Sequence, residues 1–244
     1  MPLRVLRCNF NTRVADLSPL QGMKLTTLIC YQTRVSDLSP LQGLPLEKMA
    51  YDVRLYHSAD ETLLKSLPLK TLNARPVAEF WKQLAARRQA AEEFVESVAK
   101  LPAEKQVAAV RARLKELNPN FPNTLGAKVA DEQVTTATLF NPQHDLTPLM
   151  AFKGLKKLTI TGEDNRRLDL SPVNALPLEE LTCPEPMARK NAPVLAEIKT
   201  LKTINGRPAA AFWKSISTGR QGKQAESGPA HPDDQPAVAP KRKQ

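Results

Sequence analysis

The 244 residues carry 35 Lys and Arg against 25 Asp and Glu, a net charge of +10, with 41% hydrophobic but only 5% aromatic side chains. That composition excludes a chain disordered throughout, and the lack of 18 consecutive apolar residues excludes a membrane-spanning helix. The core it allows is aliphatic, and an odd set of cysteines (Cys8, Cys30, Cys183) forms no disulfide framework, so these read as free thiols in a reducing, cytoplasmic setting.

In chain order, Leu3, Leu6, Cys8, Thr12 and Val14 open a pattern that ends in Asp16-Leu17-Ser18-Pro19-Leu20-Gln21-Gly22. The same string returns at Asp37-Leu38-Ser39-Pro40-Leu41-Gln42-Gly43, and weaker copies stand at Asp145-Leu146-Thr147-Pro148-Leu149 and Asp169-Leu170-Ser171-Pro172-Val173. Recurrence at a short period marks a stacked repeat, and Leu25-x-x-Leu28-x-Cys30-x-x-Thr33-x-Val35 follows the leucine-rich-repeat template. Alternation along a short strand then sends Leu25, Leu28, Cys30 and Val35 inward and Thr27 and Ile29 to the opposite face. Asp and Ser close the turn by local hydrogen bonds, Pro fixes one angle and Gly frees another.

A third copy begins at Leu46 and Met49, a helix is predicted over Ala59 to Ser66, and Leu69 to Asn73 forms a last strand. Arg75-Pro76 then opens a helix whose Phe80 and Trp81 cap the stack. Residues 77 to 117 are rich in strong helix formers, broken at Leu101-Pro102. Phe94, Val98 and Leu101 form one apolar stripe and Val107, Val110, Leu114 and Leu117 another, which predicts a helical hairpin packed on its neighbours. After Asn118 to Asn123, residues 127 to 140 alternate as a hairpin turning near Asp131-Glu132. Asp37 to Asp169, Leu46 to Leu178 and Trp81 to Trp213 are each 132 apart, so the second half repeats the first without a gap.

The predicted fold is therefore α/β: a leucine-rich-repeat solenoid in two short blocks with parallel sheets, joined by a helical hairpin. The divisions are 1–82 for the first block with its cap, 83–126 for the helical linker, 127–217 for the second block with its cap, and 218–244 for a disordered tail. The dense run Lys241-Arg242-Lys243 lies in that tail. Nothing precedes Leu3 to Cys8 as a cap. The expectation is either that the chain is a fragment of a longer repeat protein, or that this edge is covered by a partner or a second copy.

The repeats resemble bacterial leucine-rich repeats of the internalin-like type. The cap, Leu-Lys-Thr-(Leu/Ile)-Asn-x-Arg-Pro-x-Ala-x-Phe-Trp-Lys, with Leu101-Pro-Ala-Glu-Lys-Gln-Val and Leu114-Lys-Glu-Leu-Asn-Pro, resembles repeat regions attached to serine/threonine protein kinases in environmental bacteria. The resemblance covers roughly residues 2 to 217 and implies recognition beside a kinase. The chain itself has no glycine-rich phosphate loop, no His-Arg-Asp and no Asp-Phe-Gly, so the groups that hold Mg²⁺ and position a hydroxyl are missing.

The function that follows is a non-catalytic protein-protein interaction module whose partner meets the outward strand positions Val5, Arg7, Thr27, Ile29, Lys48, Ala50, Lys157, Thr159, Glu180 and Thr182. No catalytic set, cofactor or metal is expected: His57, His144 and His231 stand apart at no ligand spacing and read as surface loop residues, and Cys8 and Cys30 read as small buried hydrophobes. Two alternatives stay open. One is part of a serine/threonine kinase whose catalytic domain is absent from this chain. The other is a weak binder of nucleic acid or an anionic surface through the basic balance, against which stands the want of an aromatic platform or a helix-turn-helix.

Overall fold

The computed structural model describes residues 3–118, 125–142, 145–162 and 168–221, with the side chains of 217–221 left out. The chain is mixed α/β with two sheets, each largely parallel. The first contains β1 (Val5–Arg7), β2 (Thr27–Ile29), β3 (Lys48–Ala50), β4 (Thr71–Leu72) and β5 (Arg75–Pro76), lying side by side in sequence order. The second contains β6 (Leu125–Ala130), β7 (Gln133–Phe140), β8 (Lys157–Thr161), β9 (Glu180–Thr182), β10 (Thr203–Ile204) and β11 (Arg207–Pro208), also in order. β1 to β4 pair in parallel, as do β7 to β10, while β4–β5, β6–β7 and β10–β11 are antiparallel hairpins.

Each Asp-Leu-Ser/Thr-Pro string makes one 3₁₀ turn with Pro in its first turn: Ser18–Leu20, Ser39–Leu41, Thr147–Ala151 and Ser171–Ala175. In all four the Asp Oδ1 accepts the N–H two residues on, at 2.8–2.9 Å. The Ser18 and Ser171 hydroxyls also donate back to Asp16 and Asp169. Gly22 and Gly43 follow at φ 74° and 75°, the left-handed backbone the turn demands. The caps share one device too. Asn73-Ala74 and Asn205-Gly206 occupy the two-residue hairpins at positive φ, and the Asn side chain accepts the N–H of Tyr51 or Cys183 at 2.9 Å, standing in for the next strand.

The helices are α1 (Ser58–Ser66), α2 (Val77–Ala99), α3 (Ala103–Leu117), α4 (Glu185–Lys190), α5 (Ala192–Leu195) and α6 (Ala209–Gln221). Arg75-Pro76 is thus a strand rather than a first helical turn, because the Asn73-Ala74 turn folds it back on β4. Two apolar cores result, and α2 serves both: Phe80 and Leu84 pack in the first, Val98 in the second. A 23-residue helix spans roughly 35 Å, enough to act as a strut between them.

Leu25, Leu28, Cys30 and Val35 are buried as expected. Several other expectations need correction. Leu3 is exposed, and Leu6, Cys8 and Val14 are only half-buried, because β1 has a neighbour on one side alone. Phe80 and Phe212 are the buried cap residues, whereas Trp81 and Trp213 are half-buried and meet those rings edge-on at 5.1 Å. Toward the end of α2 Val98 is buried as expected, but so is Val95, while Leu101 is exposed and Phe94 lies half-buried beneath Arg113. Of the stripe expected on α3, Val110 and Leu114 are buried, with Val107 and Leu117 at the margin. The hairpin turns at Asp131-Glu132, both at positive φ, but starts at Leu125. Helix α6 runs to Gln221, into the stretch read as tail, and residues 222–244 lie outside the described residues. So do His144, His231 and residues 119–124.

Candidate functional site

All ten sequence-predicted face residues lie on strands, and none is fully buried. Parallel pairing aligns them in rows. In the first sheet, Val5, Thr27, Lys48 and Thr71 share one row, and Arg7, Ile29 and Ala50 the next. In the second, Thr136, Lys157, Glu180 and Thr203 form one row, and Thr138, Thr159 and Thr182 the other. The two faces differ chemically. Lys157 Nζ sits 2.7 Å from Glu180, and Glu179 is paired with Lys202, whose hydrogen bond holds its carboxyl below the usual range. The first face carries exposed Val5, Arg7 and Lys48 beside Ile29 and Ala50, a mix of apolar surface and cations.

Where the halves meet, the chain from Asp52 to His57 lies against the second half's turn. Asp169 Oδ2 accepts the Leu55 N–H at 2.5 Å, Ser171 Oγ accepts the Tyr56 N–H at 2.8 Å, and Lys190 Nζ reaches Asp52 at 2.5 Å. From α2, Arg88 Nε donates to the Leu55 carbonyl at 2.7 Å, and Arg87 pairs with buried Asp145 at 2.8 Å. The Asp-x-Ser turn therefore has a second use: one carboxylate oxygen closes the turn, and the other acts between the halves. A cleft of about 350 Å³ opens beside this junction, lined among others by Leu55, Arg75, Phe80, Arg87, Asp145 and Asp169.

Beneath the junction Arg54 and Asp60 form a buried ion pair, Nε to Oδ2 at 2.8 Å, with Arg54 Nη2 also donating to the Ser36 carbonyl. His57, read as a surface loop residue, is buried: Nδ1 lies 3.0 Å from Asp60 Oδ1, and Nε2 lies 3.6 Å from Glu197 of the second half. Arg54, His57 and Asp60 stand three residues apart in one stretch, and that spacing of three polar side chains inside the run Val53 to Leu64 was the sequence signal for it. Glu197, 140 residues further on, left no such signal.

Burial is the largest influence on the Asp169 carboxyl and pushes it up, against hydrogen bonds from Leu55 and Ser171 that pull it down. Removing the side chain in Asp169→Ala leaves the Leu55 and Ser171 N–H groups without this acceptor. We expect a loss of about 1–3 kcal/mol in urea unfolding, with faster amide exchange at Leu55. The pH dependence follows from the direction of the shift. A carboxyl whose folded value lies above its ordinary 3.8 contributes stability that is complete below that pH and is lost as pH rises through the folded value. The stability gap between wild type and Asp169→Ala should therefore narrow as pH rises through this range.

Burial pushes Cys30 and Cys183 up to about 12, which suppresses the nucleophilic thiolate. Cys8 and Cys30 are free cysteines, and among the described residues no three His, Cys, Asp or Glu side chains converge where a metal ion could be held. No helix of the described residues is long and apolar enough to cross a membrane.

No protein-family model matches the chain, and no curated protein matches it. Among solved structures, an internalin from Listeria monocytogenes is similar at 18% identity over 78% of this chain, with a TM-score of 0.20. The chain spans 37% of the length of that internalin.

Proposed function

We propose that the chain is a non-catalytic protein-binding module, a leucine-rich-repeat solenoid in two short blocks, 1–82 and 127–217, joined by the helical segment 83–126. A partner protein meets the outward strand faces. The observation that supports this reading is the alignment of all ten predicted face residues in solvent-open rows by parallel register, which makes a continuous surface out of side chains 20 or more residues apart. The polar junction at Asp169 and Ser171 favours it further, because its hydrogen bonds tie the segment that follows β3 to the turn that precedes β9. The cap's resemblance to kinase-attached repeats makes a place beside a serine/threonine kinase, in the cytoplasm, the finer part of the proposal.

Affinity capture with the immobilised chain identifies the partner, and variants test the face. Thr27→Arg combined with Lys157→Glu should weaken capture of that partner by about tenfold, equivalent to about 1.4 kcal/mol, whereas Lys82→Ala on the exposed side of α2 should leave it unchanged. Equal capture by both variants contradicts the reading.

A further inference from the structure

Among the sheet edges, β1 is unlike the others. β5 and β11 are two residues long and contain Pro76 and Pro208, and β6 is bulged between Lys128 and Val129, all devices that discourage a further strand. β1 has neither proline nor bulge. The Arg4 carbonyl accepts from Thr26 and Thr27 at 2.8 and 3.1 Å, and Cys8 N–H donates to Ile29 at 2.9 Å, so the peptide groups of Arg4 and Cys8 face β2. Alternation then turns the N–H and C=O of Val5 and Arg7 to the open side, where no described residue meets them.

The side chains around this edge say what fits it. Leu3, Val5 and Phe10 are exposed by 47%, 48% and 58%, three of the six large hydrophobics exposed among the described residues. Phe10 stands edge-on to Tyr31 at 5.1 Å. Arg4 and Arg7 on the edge itself, Arg13 and Lys24 in the connection to β2, and Arg34 after β2 are all exposed, and none is in an ion pair with a described residue. The acids nearest in sequence, Asp16 and Asp37, are engaged in their own turns.

We propose that the open edge of β1 binds an extended acidic segment of a partner protein by strand addition. The proposal rests on the reading of the chain as a protein-binding module and names the chemistry of its partner. The backbone of the added strand completes the ladder at Val5 and Arg7, its acidic side chains meet the arginines, and its apolar side chains cover Val5 and Phe10. A second copy fits poorly, because it would bring a further set of exposed arginines to an edge that already carries Arg4 and Arg7. Nucleic acid has no peptide groups with which to complete the ladder.

The test is amide hydrogen exchange of the full chain with a capped peptide alternating glutamate and valine, and with its lysine and valine counterpart. At about ten times its Kd the glutamate peptide should slow exchange at Val5 and Arg7 by about tenfold, and the lysine peptide should not. Val5→Pro removes an outward donor without touching the bonds to β2, and should abolish the protection while leaving the Thr27–Ile29 amides as in wild type. If that variant disturbs β1, the exposed charge reversal Arg4→Glu/Arg7→Glu/Arg13→Glu should still weaken the glutamate peptide and not the lysine one. Equal protection by both peptides overturns the proposal. So does concentration-dependent protection by a second copy, or protection by an oligonucleotide but not by the glutamate peptide. If Thr27→Arg with Lys157→Glu loses its partner while the peptide leaves β1 unprotected, the module reading stands and the edge proposal fails. If the peptide protects β1 while that variant keeps its partner, the edge proposal stands and the face reading fails.

Discussion

Asp60→Ala should lower the free energy of unfolding by about 3–5 kcal/mol in urea titrations, because it strands the Arg54 guanidinium inside the protein. Arg54 and Asp60 are both buried, and without the carboxylate the arginine keeps only the Ser36 carbonyl while its Nη1 already lacks a partner. His57 loses its neighbour in the same step. The double variant Arg54→Met/Asp60→Ala should regain most of the loss, since it removes the buried charge along with its partner. A loss in Asp60→Ala below about 1 kcal/mol, the scale of an exposed ion pair, contradicts this account of the junction.

Leu28→Ala and Leu181→Ala should each cost about 2–5 kcal/mol. Both occupy the inward position of a central strand, flanked by strands on either side, with relative exposures of 0% and 1%. Because each of the two cores is built from many such leucines, neither site can collapse without moving a neighbouring strand. Chemical denaturation measures it, and losses below about 0.5 kcal/mol at both sites contradict the strand register, being no more than a surface substitution costs.

The repeating part of the fold was legible because its signals are local. An Asp two residues before Ser, a Pro that opens a turn and a leucine every second or third position act over a few residues, and the strands at Thr27–Ile29 and Lys48–Ala50 follow from them. The caps were legible as copies but not in detail. Phe80 and Trp81 are sequence neighbours about 100° apart on a helix, so the pattern marks an aromatic pair without saying which ring turns inward. On α2 the stripe named Val98 correctly but missed Val95 and overstated Phe94 and Leu101, because the helix changes neighbours along its length and serves two different cores.

The contacts across the junction were not legible. Asp169 meets Leu55 across 114 residues, and Lys190 meets Asp52 across 138. Nothing in the Asp-Leu-Ser-Pro string distinguishes the copy that docks from those at Asp16 and Asp37, which close their own turns with the same geometry. Which face residues share a row was readable from the repeat. Their chemical contrast became visible only with the cross-strand register that brings Lys157 to Glu180 and threonines beside threonines.

Amide hydrogen exchange of the chain alone and bound to its captured partner tests the central claim most directly. The account predicts slowed exchange confined to β1–β3 and β8–β9 and their immediate ends, with the 3₁₀ turns at Ser18–Leu20 and Ser39–Leu41 unchanged. Protection confined to those turns, or to the exposed side of α2, with the strands unaffected, would contradict it.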